Sequence, residues 1–185
     1  SDADRIIEEA RRLSEENKRR IEEVLKRNRK LSKENHDKND ELLKRVRELL
    51  RRVVERLRRE EGREEIKKLV EELEKELDKI LEESRRSTEE VKDESRRLLE
   101  EIRRSTKEVK KTLDDLLRKV RERVRDKDKL KRLEDEVRKL TDENRRVTEK
   151  AERDLRRSNR ENDRSTERLE EEIRRIKKRL RDEAR

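Results

Sequence analysis

The chain contains one histidine, His36, the side chain with the widest chemical repertoire in this sequence. An imidazole can bind a metal ion or transfer a proton near neutral pH. Ser32 lies four residues before His36 and Asp40 four residues after it, so a helix places all three on one side. A metal site needs further nitrogen or sulfur ligands, and the chain has no cysteine. We therefore expect His36 to be hydrogen-bonded at the edge of a polar layer, opposite Ser87.

Motifs that organise common catalytic sites are missing from the sequence. There is no cysteine nucleophile, and a single glycine, Gly62, excludes a glycine-rich phosphate loop. Carboxylates are abundant, but they lie on the charged faces, whereas positions in phase with the core carry amides. The sequence predicts no enzyme, no metal and no cofactor.

Asparagine, serine and threonine occupy positions in phase with the apolar residues. From Ala3 to Leu57 the phased positions advance by steps of three and four that repeat in a five-turn cycle. Because 18 residues make five turns at about 3.6 residues per turn, one stripe of a straight helix faces its partners throughout. We predict that the polar members of these stripes are buried: Asn17, Asn28, Asn35, Asn39, Ser84, Thr88, Ser95, Thr106, Asn144, Thr148, Ser158, Asn162 and Thr166.

The elements that position these residues must be long helices, since 62% of the residues are charged and none is aromatic or proline. Gly62 follows the first stripe, as a left-handed residue that ends a helix would, and an aspartate near Asp126 can cap the third helix. We predict helices at about 2–61, 64–125 and 128–184, with Ser1 capping the first. Short connections make successive helices antiparallel. The predicted fold is all-α, an up-down-up antiparallel three-helix bundle with long, nearly straight helices, forming one domain over residues 1–185.

The two turns predict which polar residues face each other. If the first turn is centred between Glu61 and Gly62, residues at equal distances from it lie at the same height. The facing pairs are then Asn17 with Thr106, Asn28 with Ser95, Asn35 with Thr88 and Asn39 with Ser84. With the second turn near Asp126, we predict three buried layers. They are Asn17/Thr106/Asn144/Thr148, Asn28/Ser95/Ser158 and Asn35/Asn39/Ser84/Thr88/Asn162/Thr166.

These layers predict a role in specificity. A buried polar group without a partner costs about 1–3 kcal/mol, so the amides and hydroxyls must meet each other. Sliding one helix by a turn would place amides against leucine. A single core asparagine specifies the register of coiled coils for the same reason. The alternative is that these positions are washed by solvent in a loose bundle.

A second apolar stripe flanks the first on helices one and two. Its members are Ile7, Leu25, Leu43, Leu50, Val54, Leu69, Leu81, Leu99 and Leu117. We expect the stripe to widen the interface between these helices. If it is exposed instead, it predicts self-association or a protein partner.

Charge and hydropathy restrict other partners. The net charge is +9, but acidic and basic residues alternate at i,i+4 spacing and no aromatic residue can stack on a base, so specific nucleic-acid binding is not predicted. No apolar run approaches the roughly 20 residues that span a membrane. The opening residues do not form a targeting signal, so the sequence predicts a soluble protein of unknown location, cytoplasmic if expressed recombinantly.

The five-turn cycle, the near-duplicate segments 85–92 and 103–110, and the matched polar layers resemble a computationally designed helical bundle with programmed hydrogen-bond networks. This resemblance covers the whole chain. It implies a structural scaffold with no natural biochemical activity, and the alternative is a helical interaction module, as a homo-oligomer or a component of a designed hetero-assembly. The purpose of such a design and the role of His36 stay open.

Overall fold

Three long α-helices make up the protein. The computed structural model describes residues 2–59 and 62–183, with α1 at Asp2–Arg59, α2 at Arg63–Arg123 and α3 at Lys127–Glu183. No strand occurs in these ranges, and the three helices pack against one another. The predicted all-α three-helix bundle is confirmed. The Ser1 cap, the end of the first helix at Glu61 and the third-helix end at Ala184 lie outside the described residues.

Polar groups at the helix starts explain where α2 and α3 begin. The Asp126 carboxylate accepts hydrogen bonds from the backbone N–H groups of Asp128 at 3.0 Å and Lys129 at 3.3 Å, as expected of a helix cap. The prediction for Gly62 was wrong. It does not adopt a positive φ, and its carbonyl oxygen accepts the Ile66 N–H at 3.1 Å, so Gly62 precedes α2 as its first cap residue.

The chain divides into two compact units, each containing a segment of every helix. Unit 1 comprises Ser1–Arg29 and Ser95–Arg157, and unit 2 comprises Lys30–Glu94 and Ser158–Arg185. Each has its own cluster of buried apolar side chains, centred on Leu113 and Val120 in unit 1 and on Leu77 and Val46 in unit 2. That residues 1–185 form one domain stays a prediction.

Ion pairs between helices repeat with the five-turn cycle of the sequence. Unit 1 contains Arg121–Glu134 at 3.0 Å and Arg103–Glu152 at 2.8 Å, and unit 2 contains Arg85–Glu170 at 3.0 Å. From one pair to the next, the arginine lies one five-turn cycle earlier in α2 and the glutamate lies one five-turn cycle later in α3. This repetition requires antiparallel helices that keep about 3.6 residues per turn.

The flanking apolar stripe lies at helix contacts. Ile7 and Leu69 are buried, while Leu43, Leu81 and Leu117 pack partly buried against the core of their own unit. No large apolar side chain among the described residues is exposed. In the same ranges, no helix has a stretch both long and apolar enough to cross a membrane.

Candidate functional site

Six hydrogen-bonded side chains form a polar layer in the core of unit 1, which we call the unit 1 hexad: Ser14, Asn17, Ser105, Thr106, Asn144 and Thr148. Asn17 is its centre and is fully buried. Its Nδ2 donates to Thr106 Oγ1 at 3.2 Å and to Asn144 Oδ1 at 2.9 Å. Its Oδ1 accepts the Ser105 hydroxyl at 2.6 Å. One carboxamide on α1 thus engages both other helices.

Asn144 completes this layer from α3. Its Nδ2 donates to Ser14 Oγ at 2.6 Å and to the Leu140 carbonyl at 2.8 Å. The hydroxyls of Thr106 and Thr148 are 2.6 Å apart. Because Asn17 and Asn144 use both amide protons and their oxygen, neither carries the cost of an unpaired buried group.

Unit 2 contains the same arrangement, the unit 2 hexad, at positions displaced by one five-turn cycle: Ser32, Asn35, Ser87, Thr88, Asn162 and Thr166. Asn35 Nδ2 donates to Thr88 Oγ1 at 3.1 Å and to Asn162 Oδ1 at 3.0 Å. Asn35 Oδ1 accepts the Ser87 hydroxyl at 2.7 Å. The hydroxyls of Thr88 and Thr166 are 2.7 Å apart, and Asn162 Nδ2 donates to Ser32 Oγ at 3.1 Å.

Unit 2 extends its hexad by one further pair, Asn39 and Ser84. Ser84 donates its only hydroxyl proton to Asn39 Oδ1, so it accepts in its 3.0 Å contact with Thr166. Thr166 then has no proton left for Thr88, and Thr88 must donate to it. The hydrogen bonds therefore run in one direction, from Asn35 through the three hydroxyls to Asn39.

The directed chain leaves a donor unused at its end. Asn39 is 4% exposed, and its Nδ2 has no hydrogen-bond partner among the described residues. The equivalent positions in unit 1 are apolar, since Ile21 and Ile102 stand where unit 2 has Asn39 and Ser84. Asn159 Oδ1 is the other buried side-chain atom of the described residues without a partner.

The remaining predicted pair lies in unit 1, where Ser95 donates to Asn28 Oδ1 at 2.6 Å. Ser158, which the sequence places in this layer, has a different partner, the hydroxyl of Ser32 in unit 2. The assignment of Ser158 was therefore wrong. That assignment required knowing which residues of α2 and α3 lie at the same height. The sequence defines the centre of the second turn less sharply than the centre of the first turn.

Most predicted polar residues are buried, but Thr106 and Ser158 are only half-buried. Four serines of the hexads were missed: Ser14, Ser32, Ser87 and Ser105. They lie beside the stripe, so the core phase alone does not select them. The repeat of the five-turn cycle could have identified them. The pair Ser87-Thr88 recurs as Ser105-Thr106, and Ser14 and Ser32 each lie three residues before an asparagine.

An ion pair between helices involves the acidic residue next to the α3 asparagine of each hexad. Lys18 Nζ lies 3.1 Å from Glu143, beside the contact between Asn17 and Asn144, and Lys92 Nζ lies 3.2 Å from Asp163 in unit 2. Desolvation lowers the pKa of both lysines. Hydrogen bonds and charges from Glu143 and Glu15 around Lys18, and from Asp163 and Glu89 around Lys92, outweigh it, so both pKa values are raised.

His36 occupies the position in unit 2 that Lys18 occupies in unit 1, one five-turn cycle earlier in α1. It is half-buried and forms no hydrogen bond with a described residue. The predicted hydrogen-bonded histidine is therefore not found. No group of three histidine, cysteine, aspartate or glutamate side chains within residues 2–59 and 62–183 is placed to hold a metal ion.

Comparison with known proteins gives little sequence similarity. No family model and no curated protein matches the chain. A solved structure described as a computationally designed three helix bundle is 12% identical, with a TM-score of 0.41, and the match covers 98% of this chain and 85% of that one. The three long helices of this chain, with their buried Asn, Ser and Thr hydrogen bonds, are themselves consistent with a designed bundle.

We predict opposite effects from removing one or both members of the Asn39–Ser84 pair. Ser84→Ala alone leaves the Asn39 carboxamide without any partner and should lower the free energy of unfolding by about 1–3 kcal/mol. Asn39→Ile with Ser84→Ile reproduces the unit 1 residues Ile21 and Ile102 and removes the unused Asn39 donor. This double variant should raise the free energy of unfolding by a similar amount. Urea unfolding of both variants measures this, and a double variant less stable than Ser84→Ala would contradict it.

The raised lysine pKa values predict a stability change at alkaline pH. A raised pKa means that protonated Lys18 and Lys92 stabilise the fold at pH values below 10.5, the ordinary lysine value, and that this contribution disappears as the pH rises through the folded-state pKa. Half-exposed pairs of this kind contribute about 0.2–1 kcal/mol each.

Urea unfolding from about pH 9 to pH 12 should therefore show a larger loss of stability in the unmodified protein than in Lys18→Met/Lys92→Met. The control is Lys26→Met/Lys67→Met, whose lysines form no ion pair with a described residue. Equal pH dependence of the two double variants would refute the assignment.

Proposed function

We propose that this chain is a designed structural scaffold without natural biochemical activity, in which the two hexads set helix register and specificity. The observation that carries the proposal is the recurrence of one hydrogen-bond pattern, with matching partners, at a displacement of one five-turn cycle. The ion pairs that accompany it recur at the same interval. Sequence, buried contacts and surface contacts all follow one helical period, as in a protein generated from a geometric rule.

Register selection follows from the cost of unpaired polar groups. A slide of α1 by one turn would bring Asn17 opposite Ile102 or Val109, both buried apolar residues. Each polar group left unpaired then costs about 1–3 kcal/mol, and each hexad contains several. Exchanging one leucine contact for another costs far less, so an apolar core alone would discriminate weakly between registers.

The unrepeated pairs add a further distinction. Two identical hexads are compatible with a slip of one five-turn cycle, which would match Asn35 to Thr106. In that arrangement Asn39 would face Ile102 and Asn28 would face Leu113. The pairs Asn39–Ser84 and Asn28–Ser95 therefore disfavour the one slip that the hexads tolerate.

We also propose that no residue of the scaffold is catalytic and that residues 1–185 form a single domain. The hydroxyls and amides of the hexads are engaged with one another and do not converge on a substrate. Because each helix passes through both units, their unfolding should be one cooperative transition. The alternative, an interaction module, is tested by measuring molar mass over a range of concentrations.

The register role is tested by making the unit 1 hexad apolar as a whole. The variant changes Ser14 and Ser105 to Ala, Asn17 and Asn144 to Leu, and Thr106 and Thr148 to Val. With no unpaired group left, we expect an unfolding free energy equal to or above that of the parent protein, but with broadened amide NMR signals or mixed oligomers.

Asn17→Leu alone is the matched control. It strands Ser105, Thr106 and Asn144, so it should lower the free energy of unfolding by about 1–3 kcal/mol while the topology is retained. A fully apolar variant that stays monomeric, with one sharp set of NMR signals, would refute the register role.

A further inference from the structure

Seven basic residues lie along the outer face of α3 at intervals of three or four residues: Arg146, Lys150, Arg153, Arg157, Arg160, Arg164 and Arg168. All seven are exposed. Four belong to unit 1 and the last three to unit 2. We call the four residues in unit 1 the first row and the three residues in unit 2 the second row. With about 3.6 residues per turn, this spacing places each row on the helix face opposite the core.

The seven residues form no ion pair or hydrogen bond with a described residue. In contrast, basic residues nearer the helix contacts are paired, as in Arg156–Glu152 at 4.0 Å and Arg145–Asp142 at 3.5 Å. Glu152 also binds Arg103, and Asp163 binds Lys92, so these two acids of α3 are already engaged. The charges of these seven residues are therefore not neutralised by a described acid.

Among the described residues, the other helices present only shorter basic rows at their outer positions. Outer positions of α1 are mixed in sign, as in Arg12, Glu16, Arg19 and Glu23, and the longest basic run among them is Lys26, Lys30 and Lys33. Residues 62–126 carry 20 basic and 20 acidic side chains, whereas residues 127–185 carry 22 and 17. Three exposed glutamates, Glu149, Glu161 and Glu167, lie beside the rows and reduce their potential without interrupting the outermost positions. Among the described residues, the longest run of basic outer positions is therefore on α3.

We propose that Arg146, Lys150, Arg153 and Arg157 bind the phosphate backbone of duplex nucleic acid without sequence preference, and that Arg160, Arg164 and Arg168 form a second row of the same kind. Successive residues of a row are about 5.4 Å apart along the helix, and a duplex carries one charge per roughly 1.7 Å of its axis, so a row of closely spaced cations faces a surface of much denser negative charge. Guanidinium groups bind phosphate oxygens in a bidentate manner.

The chemistry of this face selects a duplex over other polyanions. A single strand is held by stacking of its bases on aromatic side chains, and the chain has none. An anionic membrane is held by basic residues combined with apolar side chains that enter the interface, and the outer positions of α3 from Arg146 to Arg168 contain no apolar residue. A regular backbone of phosphates needs neither.

The test compares two variants of the full chain that lose the same charge. The first carries Arg146→Gln, Lys150→Gln, Arg153→Gln and Arg157→Gln. The control carries Arg12→Gln, Arg27→Gln, Arg45→Gln and Arg118→Gln, four exposed residues paired with acids. Binding to a fluorescent 20-base-pair DNA duplex of arbitrary sequence is measured by anisotropy from about 50 to 200 mM salt. Circular dichroism verifies that both variants are helical.

For the parent protein we expect a dissociation constant on the order of 10⁻⁶–10⁻⁴ M that is independent of sequence. Each phosphate contact contributes about −0.9 to the slope of log affinity against log salt, so the loss of four contacts in the first variant should lower the magnitude of the slope by about 3.6 and the control by less than 1. Equal losses in both variants would show that binding follows net charge and would overturn the proposal. So would the absence of duplex binding, or preferential binding to anionic vesicles or single strands.

Discussion

A carboxamide buried among helices must find partners for two protons and an oxygen, and this requirement governs the core of the protein. Asn17 and Asn35 each meet it with one hydroxyl acceptor, one amide acceptor and one serine donor, drawn from both other helices. Leucine packing tolerates small displacements, whereas a hydrogen bond weakens within a few tenths of an ångström. We therefore propose that the amides define the heights at which the helices of each unit meet.

The second consequence is periodicity. A hydrogen-bonded layer can recur along straight helices only where all three return to the same rotation, which at about 3.6 residues per turn occurs after five turns. Both hexads and the surface pairs Arg103–Glu152 and Arg85–Glu170 follow this interval. Unit 2 differs from unit 1 at Asn39 and Ser84, where the network gains two members but the Asn39 Nδ2 donor has no partner among the described residues.

Much of this arrangement could be predicted from the sequence because helical phase and turn position act together. The phase identifies Asn17 and Asn35 as core residues, and the first turn places Thr106 and Thr88 opposite them. The second turn is less informative, since an uncertainty of one or two residues in its centre changes which neighbour Ser158 meets. Side-chain reach decides the rest. A serine beside the stripe, such as Ser105, can still reach a central amide, and the local sequence pattern does not predict this contact.

The same limits explain Gly62 and His36. A lone glycine after an apolar stripe suits either a helix end or the next helix start, and only the backbone hydrogen bond from Ile66 decides between them. A histidine at a half-buried position suits a polar layer, but His36 forms no hydrogen bond with a described residue, and the serines predicted beside it, Ser32 and Ser87, bond to asparagines of the unit 2 hexad.

Hydrogen exchange and nuclear Overhauser effects of the Asn17 and Asn35 side-chain amide protons, measured by NMR on the ¹⁵N-labelled protein, test the central claim most directly. If the two hexads are equivalent and closed, both amides exchange far more slowly than exposed asparagines. Their protons then show contacts to Thr106 and Thr88, respectively. Exchange at the rate of exposed amides, or protection of one and not the other, would contradict the account.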